Sequence, residues 1–230
     1  MFRSSKELMG YRLLATDGLI GRCKDMLFDD LQWTVRYIVV DTGNWLAGRK
    51  VIVSAAQLKE PDWNEKAIPV SLTVKQIEDA PPLESNAPIS RRYERLWLER
   101  FGQPQYWVPL GPVGTPIVAN VAAMHKETRK ELKTTADAGK ESTNLRSMEE
   151  VSDYHIRATD GDIDHVEEFI IDDTTWSLRY LVVDTRRLIP GGKVLLSHEW
   201  LRSVSWPERE VWRFTRTSNE HIRLSIGPDQ

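Results

Sequence analysis

The chain has 230 residues, longer than one typical domain and shorter than two large ones, which leaves one large domain or two small ones. Hydrophobic residues make up 40% and charged residues 28%, a balance that suits a soluble globular protein and excludes a chain disordered throughout. Lys plus Arg is 31 against Asp plus Glu 34, a net of -3, so no global positive field holds nucleic acid or an anionic membrane. Cys23 stands alone, which excludes a disulfide scaffold and fits a reducing, cytoplasmic setting.

In chain order, the first ten residues carry charges without the apolar run of a signal peptide. Residues 11–15 then read as a strand entering Asp17-Gly18, a pair suited to a type I′ hairpin turn. The strand that leaves, residues 21–28, is expected to place Met26 and Phe28 on one face and Cys23 and Leu27 on the other. Asp29-Asp30 forms the next turn. Residues 35–41 are β-branched and aromatic and apolar on both faces, so this strand needs cover on both sides. A strand at 50–53, a helical turn capped by Ser54, and a closing strand at 68–72 complete the unit.

A different segment follows. Ser90 is placed to cap a helix with Tyr93, Leu96, Trp97 and Phe101 on one face, opposite Arg91, Arg92, Arg95 and Glu99. That apolar face is the expected cover for an exposed strand face. Residues 102–124 carry no charge, but their prolines and glycines break any spanning helix, so the stretch reads as loop. Residues 126–144 are polar and read as a flexible linker or a fraying helix.

The first unit then recurs. At an offset of 143, residues 11–54 fall on 154–197 without a gap and are identical at 19 of 44 positions, so two copies of one module account for the length. The expected fold is mainly β, with a first domain at 5–82, a helical extension and linker at 83–147, and a second domain at 148–228. Each module is small enough for its own core to be marginal, so a partner surface would help it.

The pattern A-T-D-G, D-D-x-x-W, x-R-Y-x-V-V-D-T and G-x-K-V-x-x-S, present at residues 15–54 and 158–197, resembles the PRC-barrel family. That family is named for the cytoplasmic domain of the photosynthetic reaction centre H subunit and includes a domain of a ribosome maturation factor. The run R-Y-E-R-L-W-L-E-R-F-G-Q-P-Q-Y-W is similar to a helical extension found in bacterial proteins of the family. The resemblance implies two small β-barrels with short helices, joined by a helical and partly flexible linker. It transfers no functional residue, because hosts of this fold do unrelated jobs.

Chemistry-bearing patterns are few. Asp160, Asp162 and Asp164 alternate, but the glycine a calcium loop requires falls on His165 and its terminal glutamate on Ile171, so a charged hairpin tip fits better. The five histidines show no zinc-like spacing, and no nucleophile elbow, phosphate loop or dinucleotide fingerprint occurs. Cys23 lies between Arg22 and Lys24, whose side chains alternation directs the other way, so it reads as structural.

Repeated residues are more telling. Arg36 and Arg179 read first as structural partners of Asp41 and Asp184 at the ends of the same strands, and second as partner anchors. Trp33 and Trp176 follow the Asp-Asp turns and read as lids on the core and as contact residues. With Arg92 and Trp97 of the middle helix they are the candidate partner-binding residues. The sequence thus points to a non-enzymatic interaction or assembly module without metal, cofactor or stable nucleic acid. Its expected partners are proteins, with a homo-oligomer among the alternatives. Two other readings stay open: an accessory of photosynthetic electron transfer, and an RNA- or ribosome-associated factor using Arg91, Arg92, Arg95 and Arg100.

Overall fold

Strands form almost wherever the sequence alternates or runs β-branched. The computed structural model describes residues 1–43, 45–46, 49–81, 89–107, 144–158, 161–185, 192–205 and 210–213. The first copy contains β2 (Arg12–Leu14), β3 (Leu19–Asp29), β4 (Thr34–Asp41), β5 (Lys50–Ser54) and β6 (Ala67–Pro69). Its sheet runs β5-β4-β3-β2-β6, antiparallel except for the parallel pair of β2 with β6. Ser54 caps a 3-10 turn at Ala55–Gln57 as expected, and Thr73 caps α2 (Val74–Glu78) with Gln76 in a capping box.

The second copy repeats the plan with β8 (His155–Ala158), β9 (Gly161–Asp172), β10 (Leu178–Asp184), β11 (Lys193–Ser197), β12 (Leu201–Ser205) and β13 (Glu210–Arg213). The order is β11-β10-β9-β8-β13-β12. Where the second copy pairs β12 with β13, the first has two isolated bridges at the equivalent positions, Leu58 to Val70 and Asp62 to Ala67. The protein is therefore mainly β, and its described strands form two sheets without a closed barrel.

Two local expectations are corrected. Neither Asp17 nor Gly18 adopts positive φ, so the first hairpin is not closed by a type I′ turn. Ala15 N–H bonds Gly18 O at 2.8 Å, and the Asp17 carboxylate accepts Val74 N–H at 2.7 Å. In β3 a bulge between Cys23 and Asp25 breaks the alternation: Cys23 pairs with Val40 and Met26 with Ile38, so Cys23 and Met26 share the inner face. The turn at 159–160 and the linker at 126–143 lie outside the described residues.

A lead-in precedes each copy, and these segments change places. β1 (Phe2–Ser4) and α1 (Ser5–Leu8) open the chain, yet β1 pairs with β9 of the second copy. β7 (Leu145–Ser147) and α4 (Met148–Val151) open the second copy, yet β7 pairs with β3 of the first. The registers match at the 143-residue offset: Phe2 faces Asp172 as Leu145 faces Asp29. Thr34 bridges Ser177, its own equivalent, while Val35 N–H bonds Trp176 O at 2.8 Å and Leu178 N–H bonds Trp33 O at 2.7 Å. A pseudo-twofold axis therefore passes between Thr34 and Ser177, and the two copies form an intramolecular exchanged pair.

Residues 80–143 form a separate compact unit. Its helix α3 (Arg91–Arg100) starts at Ser90, whose hydroxyl accepts Tyr93 N–H at 3.2 Å, and ends before Gly102 at φ +62, a left-handed position that suits glycine.

Candidate interaction surfaces

On β4 the outward residues Tyr37 and Val39 face Leu27, Ile52 and Ser54 on neighbouring strands, and all are buried. The equivalent outer face of the second sheet carries Tyr180 and Val182 beside Ile170, Leu195 and Ser197. Here exposure differs sharply: Leu195 is 37% exposed where Ile52 is 2%, and Phe2 57% where its equivalent Leu145 is 5%. Phe2 meets Tyr180 edge to face, ring centroids 6.2 Å apart. Arg179, half-exposed, and Lys193 are charged residues of the same two strands.

The anticipated pairing of Arg179 with Asp184 is replaced by one with Asp172 at 3.2 Å. Backbone N–H donation from Thr174 and the Arg179 guanidinium hold the Asp172 carboxyl below its usual range. Arg36 donates to the side chain of Gln32 instead of Asp41. Asp41 is exposed and accepts Gly43 N–H at 2.9 Å, and Asp184 is buried.

Trp33 and Trp176 are buried and sit at the pseudo-twofold axis with φ +49 and +58, unusual for bulky residues. Asp29 Oδ1 shapes the first of these turns by accepting Leu31 and Gln32 N–H at 2.8 and 3.1 Å. Trp33 stacks on Phe28 and tilts against His198 of the second copy at 5.9 Å, so its contacts include the sister copy.

In α3 the buried side chains are Glu94, Trp97 and Leu98, while Leu96, expected on the apolar face, is 49% exposed. Trp97 tilts against Phe101 with ring centroids 4.4 Å apart, and Arg92 is exposed. Arg91 is not an open member of a basic stripe: it binds Glu94 at 3.0 Å and lies over Trp107 at 4.2 Å, and Tyr106 Oη donates to Glu94 at 2.6 Å.

The junctions between copies are rich in polar contacts, and the reading from sequence missed them. At one, Arg146 binds Asp30 at 2.9 Å, Ser147 Oγ donates to Asp25 at 2.6 Å and Lys24 binds Glu149 at 3.2 Å. At the other, Arg3 reaches Asp173 at 3.7 Å, Ser4 Oγ donates to Glu168 and Lys6 reaches Glu167 at 3.5 Å. The signal was available: Arg3/Arg146, Ser4/Ser147 and Glu7/Glu150 continue the 143-residue offset upstream of Tyr11. Burial pushes the Asp30 carboxyl up to about 6 despite Arg146, and raises Asp25 despite its donors.

An open groove of about 510 Å³ beside the first junction is lined by Met9, Cys23, Met148, Lys6, Lys24 and Glu149. Burial pushes the Cys23 thiol up to about 12, so it stays protonated at neutral pH and is a poor nucleophile. Among the described residues no group of three or more His, Cys, Asp or Glu side chains is arranged to hold a metal, and no helix is long and apolar enough to cross a membrane. No protein-family model matches the chain, and no curated protein matches it.

Proposed function

We propose that the chain is a non-enzymatic, tandem PRC-barrel-type protein that works as a protein-interaction or assembly module, with the outer face of the second sheet as its main docking surface. One observation carries this reading: Phe2 and Leu195 are exposed and Tyr180 half-buried where the first copy buries Leu145, Ile52 and Tyr37. Accessible aromatic and aliphatic side chains with a charged margin are the anatomy of a protein interface. The exposed Leu96 and Arg92 of α3 give a smaller second surface. The partner is a protein presenting an apolar patch.

Affinity capture with mass spectrometry at native salt tests this, comparing the parent with Tyr180→Glu/Leu195→Asp. Specific partners should be captured by the parent and lost with the variant, whose fold is checked by circular dichroism. Identical capture by both, or turnover of a small molecule by the parent with no specific partner, would overturn it.

A further inference from the structure

We infer that the two exchanged lead-in segments are mutually coded, so that each fits the long strand of the other copy and neither fits its own equivalent in a second chain. The surface is the junction of a lead-in helix with β3 or β9, and the partner it fits is the opposite half of the same molecule.

Two observations carry this. The first is charge. Position 6 and its equivalent 149 are Lys and Glu, and positions 24 and 167, which face them across the junctions, are Lys and Glu in the complementary order. In the observed arrangement Lys6 meets Glu167 and Glu149 meets Lys24. Exchange between like halves of two chains would set Lys6 against Lys24 and Glu149 against Glu167, a repulsion at every junction. Other charged groups nearby are Lys193, at 2.8 Å from Glu167, and Asp25, beside Glu149.

The second observation is a buried donor. Phe169 N–H on β9 is satisfied by Ser5 Oγ at 3.1 Å, inside the buried core of the junction. The equivalent of Ser5 is Met148, which offers no comparable acceptor. At that junction Met26 N–H turns to the carboxylate of Asp25 in its own strand, at 2.7 Å. A second copy's Met148 placed on β9 would remove the acceptor of Phe169 N–H, and an orphaned buried donor is among the costlier local defects. The first copy's lead-in thus carries what β9 needs.

The code predicts that the chain resists exchange between like halves of two copies through this junction. The test uses the full chain. K6E/E149K sets like charges at both internal junctions and favourable ones in the like-half exchange. K24E/E167K does the same from the strand side, and the quadruple variant restores opposite charges at both internal junctions and like charges in the like-half exchange. Sedimentation measured over a concentration series should show the self-association constant of each double variant rising roughly tenfold over the parent and returning in the quadruple variant. K6Q/E149Q, which neutralises without repelling, should fall between parent and K6E/E149K, and about 1 M salt should erase the differences. No rise in self-association for either double variant, or a rise that persists in the quadruple variant, would overturn the inference.

Discussion

The two copies follow one plan and finish it differently. Each presents the same strand pair outward, Tyr37 with Ile52 in the first and Tyr180 with Leu195 in the second, but the first pair is buried while in the second Tyr180 is half-buried and Leu195 exposed. The inner faces contrast less, since Ile38 and Leu181 are both fully buried, as are Val40 and Val183, although Val194 is half-buried where Val51 is buried. Duplication has therefore kept the core side of the central strands β4 and β10 equivalent while the outer sides diverged. The difference teaches that the apolar run on both faces of β4 and β10 reports two separate demands, a core common to both copies and an outer surface of which one is buried and one accessible.

The largest effect that would break the equivalence of the copies is at Gly21. A Cβ there would lie 2.1 Å from Asp41 O and 2.9 Å from Val40 Cγ1, whereas the equivalent position of the second copy is Asp164. Gly21→Ala is expected to destabilise the protein by about 4 kcal/mol in denaturant unfolding, because backbone blocks the new methyl group. A cost below about 1 kcal/mol would show that β3 and β4 separate freely at this point.

Truncating the outer faces tests the contrast directly. Ile52→Ala should cost about 3 kcal/mol, and Leu195→Ala under about 1 kcal/mol, as measured by urea midpoints. Equal costs would mean that the second face is covered in solution as fully as the first. Leu195→Ala is also expected to leave the fold intact, which makes this face the one open to redesign.

Acid sharpens the contrast between the junctions. The folded Asp30 carboxyl titrates near 6 while an unfolded aspartate titrates near 3.8. Between those values the native state holds more protons, so stability from this group is fully present below about 3.8 and is lost as pH rises through 6. The loss amounts to roughly 3 kcal/mol at most. Asp30→Asn should flatten the fall in stability between pH 4 and 7 although it gives up the ion pair with Arg146. An unchanged slope would remove Asp30 as its source.

Much of each sheet was legible in the sequence. The offset of 143 exposed the duplication, and β-branched runs placed β4 and β10 to within a residue. The inner side of β3 was misread because a bulge adds a residue, and strict alternation has no means to represent it. The Asp17-Gly18 turn was misread because Asp17 is held by Val74 N–H from α2, a contact distant in sequence that outweighs local turn preference. The exchanged lead-ins were missed for another reason. Three-residue strands such as Phe2–Ser4 carry almost no periodic signal, and their partners lie about 170 residues away in one case and about 120 in the other. Trp33 and Trp176 stand out in the sequence by their repetition, yet their positive φ and their place at the pseudo-twofold axis depend on the pairing of the whole copies.

The smallest expected effect compares the serines at the start of the two lead-in helices. Ser147 Oγ donates to Asp25 at 2.6 Å and accepts Glu150 N–H at 3.0 Å, while Ser4 Oγ donates to Glu168 and accepts Lys6 N–H at 3.1 Å. The bonding plan is shared, but Asp25 is buried and Glu168 half-buried, so water can replace a lost donor more readily at Glu168. Ser147→Ala is therefore expected to cost about 2 kcal/mol and Ser4→Ala about 1 kcal/mol, each including a lost helix cap. The two should also differ in pH dependence. Removing Ser147 takes away a donor that opposes the burial-driven rise of the Asp25 carboxyl, so its folded-state pKa climbs further above the unfolded value. The added penalty is then present at pH 7 and shrinks as the pH is lowered, because the protonated side chain needs less stabilisation. Urea midpoints at pH 5 and pH 8 measure both features. If Ser4→Ala matched Ser147→Ala in size and slope, the two junctions would be energetically equivalent, and burial of Asp25 would not distinguish them.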